Sequence, residues 1–434
     1  MKIPFDLVTI SIDNFLWFTM NDNNLSRRNF LINLSRYGII LGGSSLILSK
    51  ASGIENLTKY INSRILYDYK DDLYKNAPVA RYWTSTILKK TECSSCHSSG
   101  EINEKSHNHK EKTVKCLLCA QGCLIKENDR GKCRGRINLK GELRSLVYGR
   151  PIAIHIDPIE KKPFYHFLPG SQAYSLATAG CPLSCLFCQN WEISQSSPED
   201  NPVKYTPPID IVNNSKQNNV PVIAFTYNEP TTFFEYMVNI AQEAKKHNIR
   251  SVLVSCGFMN PEPLNELCSV LDAIKIDLKG YSEYFYNKVC NASLSPVLRT
   301  IKQIAKSKTH LEIVNLVVPT LNDSDKMMSG LVDWIAGEVG FDVPVHFTRF
   351  HPDYKLLNLP PTPIATLEHI RNLAMSKGLH YAFVGNVPGH EGNNSYCPSC
   401  KKAVIKRSNF FVTENNVING KCAFCKTTIA GVWK

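Results

Sequence analysis

The chain has 434 residues, 43% of them hydrophobic, with 50 Lys and Arg against 38 Asp and Glu for a formal charge of +12. That length exceeds what one hydrophobic core usually needs, so one large domain with smaller modules is expected, and the apolar content excludes wholesale disorder. Sixteen cysteines, mostly in short C-x2-C or C-x3-C pairs, read as metal ligation and exclude a secreted disulfide framework, which belongs to much shorter chains.

In chain order, residues 1–50 hold Ser26-Arg-Arg-Asn-Phe-Leu31 and then a short apolar run from Tyr37 to Leu48. This resembles a twin-arginine export signal and predicts export or membrane tethering, with the side of the membrane left open. The run is too short to span a bilayer comfortably. Residues 51–110 form a polar, partly helical extension containing Cys93-Ser-Ser-Cys96-His97. C-x2-C-H is the attachment signature of haem c. The same residues with His107 and His109 suit another metal, and an incidental or redox-active thiol pair is the third reading.

Residues 111–142 carry Cys116, Cys119, Cys123 and Cys133 among glycines such as Gly131 and Gly135. Four such thiolates predict a metal module holding zinc or an iron–sulfur cluster, and spacing alone does not choose between them. Residues 143–390 alternate in a regular way. Strand-like runs at 221–226, 251–255, 273–278, 311–318, 345–350 and 381–384 are separated by helical patterns near 231–247, 261–270, 294–307, 324–337 and 364–379. This implies parallel strands with crossover helices. With a strand before Cys181 there are about six units, so a partial, open (β/α)6 TIM-like barrel is expected. A doubly wound sheet fits the same periodicity, but polar strand tips favour the barrel. Residues 391–434 hold Cys397, Cys400, Cys422 and Cys425, two C-x2-C knuckles twenty-one residues apart, which predict a zinc ribbon.

The decisive motif is Cys181-Pro-Leu-Ser-Cys185-Leu-Phe-Cys188, C-x3-C-x2-C with Phe187 before the last cysteine. Three thiolates so spaced can hold three irons of a [4Fe–4S] cube and leave the fourth open for a small chelating ligand, whereas zinc normally takes a fourth protein ligand. The spacing, the aromatic and the preceding segment 171–180 resemble the radical S-adenosylmethionine (SAM) superfamily. If the motif follows the first barrel strand, the next tip is Thr226-Tyr227-Asn228-Glu229-Pro230, whose carboxylate and carbonyls could grip the ammonium of a methionine moiety. Ser255 lies at the third tip. Asp277 and Lys279 lie at the fourth with matching strand parity, where a carboxylate could bind ribose and the lysine a cofactor or substrate carboxylate. A salt bridge at the barrel mouth is the plainer reading of that pair, and a surface position that of His351.

The string Thr226–Tyr236 with Ile276-Asp-Leu-Lys-Gly280 is similar to pyruvate formate-lyase activating enzymes. Tyr148-Gly-Arg-Pro151, Asp157–Pro163, Cys188-Gln-Asn-Trp191 and Phe383-Val-Gly-Asn386 resemble, more narrowly, the radical SAM member of the AmmeMemoRadiSam system. The resemblance runs from about Lys115 to Lys434. It implies that Cys181, Cys185, Cys188 and Lys279 are catalytic, that Tyr227, Asn228, Glu229, Ser255, Asp277 and Lys279 line the SAM site beside Phe187, and that His351 lies near the adenosine. It also implies a low-potential electron donor, a protein substrate as in activating enzymes, and Memo-like and AMMECR1-like partners. Cytoplasmic supply of SAM and electrons sits against the export-like segment. The competing function is a metal-stabilised nucleic-acid-binding or electron-transfer protein without SAM turnover. The +12 charge favours it only loosely, since scattered lysines such as Lys245, Lys246, Lys401 and Lys402 suit any solvated surface, and no aromatic-basic interleaving marks an RNA-reading sheet.

Overall fold

The structure is a computed structural model that describes residues 69–85 and 112–434. The chain divides into two compact units, residues 1–75 and 76–434. Within the first, the described residues 69–75 are helical. The twin-arginine-like segment around Arg27 and Arg28 and the Cys93-Cys96-His97 motif with His107 and His109 lie outside the described residues. The expectation of a membrane tether is corrected to this extent: among the described residues no helix is long and apolar enough to cross a membrane. The long helices are one-sided. The helix Phe234–Lys246, for example, buries Phe234, Met237, Ile240 and Ala241 while exposing Gln242 and Lys245.

The second unit begins with a small antiparallel sheet of β1 (Trp83–Ser85), β2 (Val114–Cys116) and β3 (Leu124–Ile125), followed by the hairpin β4 (Arg136–Leu139) and β5 (Glu142–Ser145). The Asn138 side-chain amide donates to the Ile125 carbonyl at 2.9 Å and ties the hairpin to that sheet.

The main sheet has eight strands: β6 (Ala153–Pro158), β7 (Gln172–Ala177), β8 (Val222–Phe225), β9 (Arg250–Ser255), β10 (Ala273–Asp277), β11 (His310–Val317), β12 (Val345–Arg349) and β13 (Ala382–Gly385). They lie side by side in chain order, with β6 antiparallel to β7 and every later neighbour parallel. Helices α1 (Pro208–Gln217), α2 (Phe234–Lys246), α3 (Pro261–Val270), α4 (Leu294–Ala305), α5 (Asp325–Glu338) and α6 (Ile364–Ser376) fill the six crossovers.

This order discriminates between the two architectures that periodicity allows. A right-handed crossover repeated in one direction puts every helix on the same face, and a sheet covered on one face curls around the other. A doubly wound sheet must reverse its strand order, and this one never does. Strands β6 and β13 remain as unpaired edges, so the barrel is partial and open. The purely parallel expectation is corrected by β6, an antiparallel strand ahead of the predicted ones.

Helix faces and strand faces pack in register with this curl. Helix α4 buries Leu294, Val297, Ile301 and Ile304 at helical spacing, in one cluster with Ile274, Ile276, Ile313 and Val345 of the strands. The concave face is narrow at its lower end. Ala173, Val222, Ala224, Val252 and Ala273 are small enough there to admit Ile159, Phe164 and Phe167 from the β6–β7 connection, which plugs the barrel. Below the plug lies the C-terminal module, built from β14 (Ser395–Tyr396), β15 (Ala403–Ser408), β16 (Phe411–Asn415), β17 (Val417–Ile418) and β18 (Lys421–Cys422). Its Cys397, Val404, Ile405, Cys422 and Ile429 share one core with Tyr165, Tyr381 and Phe383 of the barrel.

Charged groups are sealed into this floor. Glu160 is fully buried. Its Oε1 accepts from the Gly170 amide at 2.8 Å, Arg407 stands 3.8 Å away, and Oε2 has no partner. Burial outweighs the attraction of Arg407 and pushes its carboxyl up to about 7. A carboxyl raised on folding takes up protons in the native state between its unfolded value and about 7. Stability therefore falls as pH rises across that window, by about 3 kcal/mol in total. Glu160→Gln is expected to flatten this slope, read as the urea midpoint between pH 4.5 and 7. A slope unchanged by the substitution would refute the assignment.

Candidate functional site

Strand β7 ends at Ala177, and the loop Cys181–Cys188 follows at the carboxyl end of the barrel. Gly180, at φ +96°, makes the turn into it, and a Cβ there would lie 2.0 Å from the Cys133 carbonyl oxygen. Only glycine permits both the left-handed backbone and the close approach. Gly180→Ala is thus expected to push the loop and the N-terminal module apart. The effect is measurable as at least a severalfold loss of bound iron together with a lower melting temperature, and full iron retention would count against the contact.

Cys181, Cys185 and Cys188 line one cavity of about 430 Å³ at the mouth of the barrel. Its wall is completed by side chains from successive strand tips. Tyr227, Asn228 and Glu229 follow β8, Asp277 and Lys279 end β10, and Phe187 comes from the loop itself. Tyr227 adopts φ +72°, and its hydroxyl donates to Asp157 at 2.6 Å. The Asn228 amide nitrogen donates to the Thr178 and Gly180 carbonyls at 2.5 and 2.8 Å, while its Oδ1 is buried without a partner. A buried acceptor left open at a cavity wall suits a ligand that brings a donor.

Glu229 is 2% exposed and accepts from the Ser255 hydroxyl at 2.9 Å, the Cys256 amide at 2.7 Å and the Thr231 amide at 3.1 Å. Ser255 therefore lies behind Glu229 and fixes it, and is not part of the cavity wall. Asp277 is held between Lys275 and Lys279, the latter at 3.3 Å. Burial works against both charges, but the attraction of Lys275 and then Lys279 holds Asp277 below its usual range, and that of Asp277 holds Lys279 above. The Lys279 ammonium also lies 5.8 Å from the Phe187 ring centre. The salt bridge and the cavity position of this pair thus coexist. His351 is exposed on the segment after β12 and does not reach the cavity wall, where Thr348 and Asn386 stand instead.

The structure adds residues that carried no sequence signal of their own. Lys161, Lys162 and Lys275 line the same cavity, Lys162 and Lys275 buried and Lys161 exposed. Lys162 donates to Asp157 at 2.6 Å and stands 4.8 Å from the Tyr227 ring centre, and burial pulls its ammonium down to about 8 despite that carboxylate. A second cavity of about 340 Å³, toward β6, shares Lys161, Gln189, Asn190 and Tyr227 with the first. Two further cysteines approach the loop. Cys256 lines the main cavity, and Cys290 is fully buried close to Cys185. Single cysteines outside any repeat cannot be placed from spacing.

At the other end of the molecule, Cys397, Cys400, Cys422 and Cys425 hold their sulfurs within 4.8 Å of one another, with closest pairs at 3.5 and 3.8 Å. Four thiolates about 2.3 Å from one zinc ion would stand about 3.8 Å apart, so this set could hold a single metal ion. In the N-terminal module, Cys116, Cys119, Cys123 and Cys133 surround a small enclosed space with Arg136 and Pro182. Burial, joined by the nearby thiols, raises the Cys133 thiol to about 11.

Comparison with known proteins follows from this geometry. The profile of the Radical SAM superfamily matches residues 175–331. An uncharacterized protein of Methanocaldococcus jannaschii is 44% identical over 314 residues, which is 72% of this chain and 93% of that protein. The (2S)-3-sulfopropanediol sulfolyase activating enzyme of Bilophila wadsworthia is 25% identical over 103 residues, covering 23% of this chain and 34% of that enzyme. Among solved structures, a domain of the pyruvate-formate lyase-activating enzyme from Bacteroides vulgatus aligns with TM-score 0.35 and 15% identity, covering 38% of this chain and 98% of that one.

Proposed function

Because the chain belongs to the radical SAM superfamily, we propose that it reductively cleaves SAM at a [4Fe–4S] cluster held by Cys181, Cys185 and Cys188. The observation that carries this reading is the meeting of those three thiols with Asn228, Glu229, Asp277 and Lys279 in one cavity. When bound, the cluster and SAM supply a one-electron carbon–sulfur cleavage whose 5′-deoxyadenosyl product radical takes a hydrogen atom from a C–H bond. The donor set fits: three thiols with no other protein side chain demanded, a buried amide acceptor for an ammonium, and a carboxylate for ribose.

The rest is positioning and shielding. Glu229, clamped by Ser255 and the Cys256 amide, presents a fixed carboxylate edge and carbonyls to an amino-acid ammonium. Lys279 offsets the thiolates from beside Phe187. The barrel plug keeps bulk water from the inner end, which favours a reaction that quenching groups would abort. Lys161, Lys162 and Lys275 outnumber the carboxylates they bind, Asp157 and Asp277, which supports a substrate carrying an anionic group. The adjoining cavity toward the open β6 edge supports access by a segment of a protein substrate, as in activating enzymes.

Within the superfamily we assign the chain to the AmmeMemoRadiSam branch. Support comes from the strings Asp157–Pro163, Cys188–Trp191 and Phe383–Asn386, and from the stretch shared with a sulfolyase activating enzyme. Memo-like and AMMECR1-like partners and a low-potential electron donor belong to the same proposal. So does the division of labour, with residues 111–142 as a metal module, 143–390 as the catalytic barrel and 391–434 as a zinc ribbon.

Anaerobic reconstitution, reduction and assay for 5′-deoxyadenosine test the reading. SAM-dependent release of that product is expected. A reduced, iron-loaded protein that leaves SAM intact while binding RNA tightly would replace the enzyme with the nucleic-acid-binding alternative.

A further inference from the structure

The N-terminal cysteines are built for a different occupant from the C-terminal set. Among the described residues, the C-terminal four are the group whose ligand atoms all lie within 4.8 Å of one another. Cys116, Cys119, Cys123 and Cys133 are not drawn in that closely, and they enclose a space instead. One zinc ion needs thiolates about 3.8 Å apart on a tetrahedron of about 2.3 Å bonds. A four-iron cube carries its thiolates on the outside, farther apart, around a body of iron and sulfide.

The wall of that space has a second feature. Arg136, on β4, is 1% exposed and lines it, and its Nε makes no hydrogen bond. The other guanidinium nitrogens are taken, Nη1 by the Arg81 carbonyl at 2.9 Å and Nη2 by Glu235. Glu235 already balances the charge of this buried guanidinium, so its Nε is the one donor left open beside the four thiols. A buried N–H without a partner costs free energy, and a cluster sulfide or thiolate would satisfy it.

The space also abuts the cluster loop. Pro182 contributes to its wall, and Gln121 donates from its Nε2 to the Pro182 carbonyl at 2.9 Å. The Cys133 carbonyl rests against Gly180, one residue before Cys181. Asn260, after β9, reaches back from its Nδ2 to the Leu117 carbonyl at 2.7 Å, so the module is locked to the barrel mouth from two sides.

We propose that Cys116, Cys119, Cys123 and Cys133 ligate a second, fully protein-bound [4Fe–4S] cluster, with the open Nε of Arg136 as a hydrogen-bond donor to it, beside the loop of the SAM-binding cluster. The inference rests on the four-cysteine module and deepens the proposed function without depending on SAM turnover. The site is closed by four protein ligands, so it is a redox centre without a place for substrate.

The test is metal and acid-labile sulfide content of the anaerobically reconstituted full chain, with EPR of the dithionite-reduced protein with and without SAM. About eight irons, about eight sulfides and one zinc per chain are expected if two cubes and a ribbon are filled. Cys116→Ser with Cys133→Ser should halve iron and sulfide and keep the SAM-responsive signal. Cys181→Ala with Cys185→Ala should also halve them and keep only a SAM-insensitive signal. About four sulfides with two zincs, or about four sulfides with no further metal at the site, would overturn the proposal on the parent protein alone, whatever the variants do. Eight sulfides with no SAM-responsive signal would leave the second cluster standing and sink the SAM reading instead. Zinc retained in the ribbon and an unchanged circular dichroism spectrum mark the variants as folded.

Discussion

Cys181→Ala, Cys185→Ala and Cys188→Ala are each expected to lower 5′-deoxyadenosine formation by roughly three orders of magnitude or more, about 4 kcal/mol of lost barrier reduction. Cys290→Ser and Cys256→Ser should stay within about tenfold of the parent, about 1.4 kcal/mol. All five sulfurs gather at the cluster loop, so the contrast is a real test. Cys290 is 0% exposed, lies close to Cys185 and stands outside the cavity wall. Cys256 faces the cavity, but from just after β9 and outside the C-x3-C-x2-C loop. If Cys290→Ser or Cys256→Ser proved as inactive as Cys185→Ala, and lost as much iron, the cube would have four protein ligands. The open corner that SAM requires would then be gone.

Glu312→Ala is expected to lower stability by about 3–5 kcal/mol, the range for breaking a buried charged network by removing one partner. Glu312 is 0% exposed on β11. It accepts from the Tyr165 and His166 amides at 3.0 and 2.8 Å and from His310 and His346 at 3.1 and 2.6 Å. Those bonds join the plug, the barrel strands and, through Tyr165 and Arg407, the C-terminal module. Burial alone would raise the carboxyl. The two histidines outweigh it and hold it well below the usual range. A carboxyl depressed on folding stabilises the protein above its unfolded value of about 4.3 and loses that contribution as pH falls toward the folded one. Glu312→Gln should therefore be less stable than the parent at pH 7 and lose less on acidification. Denaturant midpoints at pH 7 and pH 3 read both effects. Equal acid sensitivity in the two proteins would remove Glu312 as the source.

Much of the site was legible because it is carried by local strings. Cys181–Cys188, Thr226–Pro230 and Ile276–Gly280 each sit at the carboxyl end of a strand, as their apolar runs and following turns imply. The strands predicted at 273–278 and 345–350 are Ala273–Asp277 and Val345–Arg349 in the structure. Helix α1 escaped notice because Pro208–Gln217 is largely polar and buries only Ile211, Val212 and Ser215. Strand β6 did too, since the alternation in Ala153–Pro158 is short and Ile154, His155 and Ile156 are all exposed at an edge, so it buries no apolar face. His351, placed near the adenosine by likeness alone, is exposed on the segment after β12.

Residue types and spacings by themselves determined that thiolates at 181, 185 and 188 precede alternating strands and helices, because ligand spacing and periodicity are properties of neighbouring residues. Only the tertiary structure decided that the strands run in unbroken order into an open barrel. It also decided that Lys162 and Lys275 share the cavity with those thiols, and that Cys133 rests against Gly180. These are contacts between segments tens to more than a hundred residues apart, and what specifies them is the packing of whole faces against one another.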